Sequence, residues 1–286
     1  MRTLPQDTVI ITAALTGGTA AKAANPALPE QPEEIIQAAW ECYNEGAAVV
    51  HIHARDLKGR PSGDWHIFER IHAGIRAKCD VILQDSTGGG GNLSAEQRRD
   101  CLNARPEMAS LNMGTLYRSG GPYAGSYFAN HPADIEAWAT VMREFGIKPE
   151  MEVYSHAMFR DVNNLISKGL VSNPYYVNLV LGMRYQGAVE ASPQYLMSML
   201  DFVPSEALVN VSAVAAAQLP LTTMAMAMGC CIRVGLEDNL YYRRGELAKS
   251  NAQLVARAVR IARELGKEPA TPSRAREIFG LPPLRG

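Results

Sequence analysis

Several things that would mark a partner or a compartment are scarce in this chain. Its 28 basic and 29 acidic residues nearly cancel, leaving a formal net charge of −1. There is no basic stripe for nucleic acid and no polybasic segment for a membrane surface. No apolar run is long enough to cross a bilayer; the best stretch, Ala213 to Met228, is broken by Gln218 and Pro220. The first residues lack the apolar core of a secretory signal. Cysteine is sparse and unpaired: Cys42, Cys79, Cys101, Cys230 and Cys231 make an odd count without a CxxC spacing. That argues against a disulfide framework and a cysteine zinc cage, so reduced thiols in a cytoplasmic protein are expected. Neither phosphate-binding glycine motif, GxGxxG or GxxxxGK[ST], occurs.

What is present is alternation. Short β-branched runs recur at Thr8–Leu15, Ala48–Arg55, Asp80–Ser86, Met108–Met113, Glu150–Tyr154, Tyr176–Leu181, Leu208–Val214 and Cys231–Leu236. Between them lie helical patterns. Pro32–Glu45 and Pro132–Phe145 each stop at a glycine, Trp65–Lys78 behaves similarly, and Ser94-Ala95-Glu96-Gln97 has the form of a capping box. The longest stripe is expected over Glu246–Leu265. Eight strand–helix repeats without a domain-sized linker point to the α/β class and a single (β/α)8 TIM barrel over residues 1–286, with a packed or exchanged tail from about residue 267. A doubly wound open sheet is the alternative that alternation leaves open.

Barrel active sites sit at the C-terminal ends of the strands. The polar residues of this chain collect there. Side chains on a strand alternate faces, so His51 and His53 project one way while Val50 and Ile52 project the other. Two neutral imidazoles so placed make half of a zinc site. In a barrel the eighth strand neighbours the first, with the second next along. Glu237 can therefore complete a two-histidine, one-carboxylate set with an open fourth position. Arg233 interrupts an apolar strand and needs a partner, which Asp238 or Glu152 can supply; it also suits a substrate carboxylate. The run Ser86-Thr87-Gly88-Gly89-Gly90-Gly91 offers hydroxyls and close backbone amides to an anion. His156 lies just past strand five, near the mouth, whereas His66, His72 and His131 are expected at the surface or at helix caps.

With these residues assembled, the chain resembles the β-keto acid cleavage enzyme family. The matching stretches are Ile11-Thr12-Ala13-Ala14 with Asn25-Pro26, His51-Ile52-His53-Ala54-Arg55, Ser86-Thr87-Gly88-Gly89, Gly114-Thr115, Glu150-Met151-Glu152-Val153, the run from Arg233 to Asn239, and Lys249-Ser250-Asn251. The resemblance implies a homotetrameric (β/α)8 transferase that holds Zn2+ on His51, His53 and Glu237. It implies condensation of a β-keto acid with acetyl-CoA, giving acetoacetate and a new acyl-CoA. The family's substrate contacts fall on Ser86, Gly89 and Thr115, its strand-five acid on Glu152, and its arginine–aspartate pair on Arg233 and Asp238. No nucleic acid or membrane partner is implied.

Two departures bear on the substrate. Where an amino-substrate relative carries a glutamate, this chain has Thr19, which has no charge to pair with an ammonium. A neutral or apolar β-keto acid is expected instead. After strand seven, a Gly-Arg-x-Gln pattern is replaced by Ala215-Ala216-Ala217-Gln218, which weakens the expected hold on CoA phosphates. A zinc-dependent aldolase and an amidohydrolase-type barrel hydrolase are the rival enzyme readings. A barrel that serves only binding is the non-enzyme one.

Overall fold

The computed structural model describes residues 1–90, 93–183 and 187–284. Eight parallel strands close a barrel: β1 (Ile11–Ala14), β2 (Val49–Ile52), β3 (Ile82–Asp85), β4 (Met108–Asn112), β5 (Lys148–Val153), β6 (Tyr175–Leu181), β7 (Ala207–Ala213) and β8 (Cys231–Val234). Each pairs with its sequence neighbour, and β8 returns to β1 through Arg233 opposite Thr12. The helices follow in turn: α1 (Pro32–Asn44), α2 (Trp65–Arg76), α3 (Ala95–Arg99), α4 (Pro132–Phe145), α5 (Phe159–Ser167), α6 (Pro193–Leu200), α7 (Gln218–Ala227), α8 (Asn251–Glu264) and α9 (Pro272–Phe279). The (β/α)8 expectation holds, and the open-sheet alternative is excluded by closure.

Local chemistry sets these boundaries. Ser94 accepts the Gln97 amide through Oγ while the Gln97 side chain accepts the Ser94 amide, so the capping box opens α3 as its spacing predicts. The stripe at Glu246–Leu265 is the main correction. Glu246 and Leu247 instead pair antiparallel with Tyr241–Arg243, and α8 starts only at Asn251, where the Ser250 hydroxyl accepts the Gln253 amide. A capping serine overrides four residues of favourable period.

Alternation divides each strand between two environments. Val50 and Ile52 join the outer core beneath the helices, with Ile35 and Ala39 of α1 and Phe68 and Ile75 of α2. The barrel interior is unusually polar above its floor: Gln84, Glu150, Asn178, Asn210 and Arg233 are all buried there. Below them, Ile82, Met108, Tyr176, Leu208 and Cys231 form an apolar layer with Phe279 of α9. The tail is packed: the Phe279 ring lies 4.7 Å from that of Tyr176, and Thr8–Val9 pairs with Glu268–Pro269. Arg276 ties α9 upward, donating to Glu107 Oε2 at 2.6 Å and to the Asp80 carbonyl at 2.7 Å.

Candidate active site

β2 carries the first part of the site. His51 lies inside the barrel strand and His53 just past its end, and their rings approach edge to face at 5.2 Å between centroids. From the end of β8 the Glu237 carboxylate reaches both: Oε1 is 3.3 Å from His53 Nε2 and Oε2 is 3.7 Å from His51 Nε2. One ligand atom from each of the three falls within 4.8 Å of the others.

Glycine makes that reach possible. Gly235 has φ +142°, and a Cβ there would sit 2.1 Å from the Ala14 carbonyl oxygen, so only glycine lets the chain turn out of β8 against β1. The Glu237 amide then donates to the same Ala14 carbonyl at 3.2 Å. Other motif residues act as struts. Asn251 accepts the Leu236 amide at 2.8 Å and donates to the Leu15 carbonyl. Asn25 donates to the Leu240 and Ala248 carbonyls, both at 2.9 Å. Arg55 pins the loop after β1 through the Gly17 and Ala20 carbonyls at 2.9 and 2.6 Å.

The three donors suit a divalent cation. His51 is fully buried, which drives its imidazole down to about 3, with Glu237 only partly opposing the shift; the ring is neutral and can ligate. Its Nδ1 is engaged by Gln84 Oε1 at 2.8 Å, which turns Nε2 toward Glu237. Burial raises the Glu237 carboxyl, but Arg233 and both imidazoles outweigh it and hold the group well below the usual carboxylate range. Its Oε2 is buried without a hydrogen-bond donor among the described residues. A buried carboxylate with one oxygen toward each of two imidazole nitrogens is a donor set that tetrahedral zinc accepts.

Beside the trio, Arg233 donates from Nε and Nη2 to the two oxygens of Asp238 at 2.8 and 2.9 Å, and from Nη2 to Glu237. Its Nη1 stands 3.5 Å from Glu152 Oε1. Burial opposes the charge, yet Asp238 and Glu237 hold the guanidinium well above its ordinary range. Glu152 accepts from Asn112 Nδ2 at 2.9 Å and from the Tyr154 hydroxyl at 3.2 Å. Burial raises the carboxyls of Glu152 and Asp238. Both expected partners of Arg233 are therefore present at once.

These groups open into a cavity of about 430 Å³ at the C-terminal mouth. Ser86, Gly89, Thr19, Glu152, Arg233 and Asp238 line it together with the trio. Ser86 Oγ accepts the Gly88 amide at 3.1 Å, and among the described residues its own O–H has no acceptor. Thr87 and Thr115 do not line it. The Thr87 hydroxyl donates to the Ser110 carbonyl at 2.8 Å, and Thr115 Oγ1 accepts the Asn130 amide at 2.9 Å. Gly91 lies outside the described residues. His156 turns away to Ser198 Oγ at 2.9 Å. His72, expected at the surface or a cap, is instead buried on Asp85 at 2.8 Å. Gln84, Asn112 and Tyr154 gained no role from sequence, because an amide or phenol in a strand carries no spacing signature.

A (β/α)8 barrel with imidazoles, carboxylates and a buried guanidinium converging at the C-terminal mouth is the architecture of a barrel enzyme. The profile of the beta-keto acid cleavage enzyme family matches residues 8–281, and the chain belongs to that family. It is 38% identical over 274 residues to the 3-keto-5-aminohexanoate cleavage enzyme of Acetoanaerobium sticklandii, covering 96% of this chain and 98% of that protein. It is 32% identical to the 3,5-dioxohexanoate:acetyl-CoA acetone transferase of Paraburkholderia graminis and 29% to the 3-oxoadipate:acetyl-CoA acetyltransferase of Cupriavidus necator, covering 96% of this chain and at least 95% of each relative. Among solved structures, the complex of ObcA with oxaloacetate superposes with a TM-score of 0.75 at 21% identity, over 90% of this chain and 68% of that one. That last likeness concerns the fold alone. Among the described residues no helix is long and apolar enough to cross a membrane.

Proposed function

We propose that this enzyme exchanges acyl groups between a β-keto acid and acetyl-CoA, yielding acetoacetate and a new acyl-CoA. The observation that carries this is the convergence of His51, His53 and Glu237 beside the Arg233–Asp238 pair at the floor of one cavity. Relatives whose names specify acetyl-CoA support the co-substrate. His51, His53 and Glu237 would hold a zinc ion, which would supply Lewis acidity to a carbonyl, an effect of several kcal/mol on developing negative charge.

The remaining roles belong to the chain. The Ser86 hydroxyl and the Gly88–Gly90 backbone receive the substrate carboxylate. A guanidinium does not deprotonate in proteins, so within the Arg233–Asp238 pair the proton acceptor is Asp238. Asp238 takes a proton from the carbon between carboxylate and ketone. That carbon forms a bond to the acetyl carbonyl of acetyl-CoA and expels the CoA thiolate. The thiolate attacks the original keto carbon, the old C–C bond breaks, and acetoacetate regains the proton from Asp238. Arg233 holds Asp238 in place, and Glu152 fixes the far side of the guanidinium. Thr87 and Thr115 act at one remove, by shaping the loops that carry Ser86 and Asn130. The family resemblance supports a homotetramer, and the five free cysteines are in keeping with a cytoplasmic setting.

The test is to incubate the zinc-loaded protein with β-keto acids, with and without acetyl-CoA, and to assay acetoacetate. Turnover only with acetyl-CoA, with acyl-CoA formed in equal amount, is the expected result. Cleavage without acetyl-CoA would instead establish an aldolase or a hydrolase.

A further inference from the structure

Among the described residues five arginines are buried: Arg55, Arg98, Arg118, Arg233 and Arg276. Four donate to protein acceptors, with Arg55 Nε and Arg233 Nη1 their only buried nitrogens left without a hydrogen-bond partner among the described residues. Arg55 reaches Glu30 and three carbonyls, Arg98 two carbonyls and Asn130, Arg233 the carboxylates described above, and Arg276 Glu107 and a carbonyl. Arg118 is the exception. It is 8% exposed, and among the described residues its side chain has no hydrogen-bond acceptor and no carboxylate in ion-pair reach. What surrounds it is aromatic: its guanidinium lies 5.1 Å from the Phe128 ring centre and 5.2 Å from that of Tyr123. Faces of aromatic rings accept a cation but leave its N–H groups undonated.

Arg118 lines the same cavity as the histidine–glutamate trio. A Cβ placed on Gly88 would lie 3.9 Å from His53 Cε1 and 4.0 Å from Phe128 Cζ, so the Phe128 ring starts where the histidine pair ends. The guanidinium stands against that ring. A ligand whose head sits at the trio and the Ser86 loop can therefore run along Phe128 to an unpaired cation. A buried unpaired charge is costly and calls for an anion.

We infer that Arg118 is an anion subsite and that the β-keto acid cleaved here is a diacid, its second carboxylate at the end remote from the trio. The inference rests on the β-keto acid reading for the head of the substrate and adds the chemistry of its tail. A planar fork meets a carboxylate through two parallel bonds, which fits a small carboxylate reached past an aromatic wall. A CoA phosphate shares the oxyanion chemistry and is the competing source. Thr19 excludes help for an ammonium, and Arg118 extends that to a preference for the opposite charge.

The experiment pairs a linear β-keto diacid with the chain-matched β-keto monoacid ending in a methyl group. With the zinc-loaded protein, kcat/KM should favour the diacid by about 10- to 100-fold, the range of a charge-assisted pair. Arg118→Gln should bring that ratio near one, with Arg118→Lys between. A rise in the KM of acetyl-CoA in Arg118→Gln, absent with acetyl-pantetheine, would assign the residue to a CoA phosphate and overturn the inference. Calorimetric binding of a non-reacting linear dicarboxylate against the matched monocarboxylate gives a readout free of turnover. Selective binding of the dicarboxylate, lost in Arg118→Gln, sustains the subsite even where no keto acid is cleaved; the acyl-exchange reading is then what fails. Equal binding of both by the wild type overturns the subsite whatever the turnover.

Discussion

His51 and Gln84 are register partners on β2 and β3, and their side chains meet directly, imidazole Nδ1 to amide Oε1 at 2.8 Å. The amide oxygen accepts the ring N–H, which leaves Nε2 bare on the side of Glu237. Partners of this kind orient a metal-ligating histidine and typically contribute 10- to 100-fold in affinity. Gln84→Leu should therefore weaken zinc binding by about that factor while the protein still folds. Chelator competition measures it, and an unchanged affinity would show that packing alone orients the ring.

Arg233 and Asp238 should separate metal binding from chemistry. Asp238→Asn keeps the shape of the pair but cannot accept a proton, and Arg233→Lys loses the two-pronged grip. Each should lower kcat by about 100- to 10,000-fold, the usual scale of a lost acid–base group. Bound zinc, measured by elemental analysis, should stay near the wild-type stoichiometry. Loss of the metal instead would recast the two as supports of Glu237, which Arg233 also touches.

Glu150 makes stability depend on pH. Burial, and then the nearby Glu152, push its carboxyl up to about 8, against an ordinary value of 4.5. Between these two values the folded chain holds a proton that the unfolded chain has released. The contribution of Glu150 is thus complete below about pH 4.5 and is lost as pH rises through 8. Glu150→Gln removes this dependence. The stability of the variant relative to wild type, from urea unfolding, should rise between pH 5 and pH 8.5 by about 1 kcal/mol or more. A pH-independent difference would mean that the folded protein carries this carboxyl ionised.

Phe279 plugs the barrel floor with no exposed surface and packs against Tyr176 with the rings tilted by 59°. Phe279→Ala should cost about 3–5 kcal/mol in denaturant unfolding. Because the floor is remote from the mouth, the folded variant should keep its kcat; a parallel loss of kcat would show that the floor also sets the site.

The legible part of this molecule was whatever depends on local periodicity. A spacing of two on a β-branched run places His51 and His53 on one face, and the order of strands in a barrel brings Glu237 to them. The stretch from Glu246 shows the limit of such reading, since a helical stripe of Leu247 and Leu254 is outranked by a cap at Ser250 and by hairpin pairing with Tyr241. Gln84 and Arg118 escaped for a different reason. Their meaning lies in what stands across the barrel or across the cavity, and that partnership is set by register and loop path, which one strand's composition does not carry.

The pairing of Thr8–Val9 with Glu268–Pro269 fastens segments near the two extremes of the sequence to each other beneath the barrel. A chain emerging from the ribosome exposes the underside of its inner layer until those late residues are synthesised. The barrel floor is thus finished by a late segment that never approaches the reaction centre.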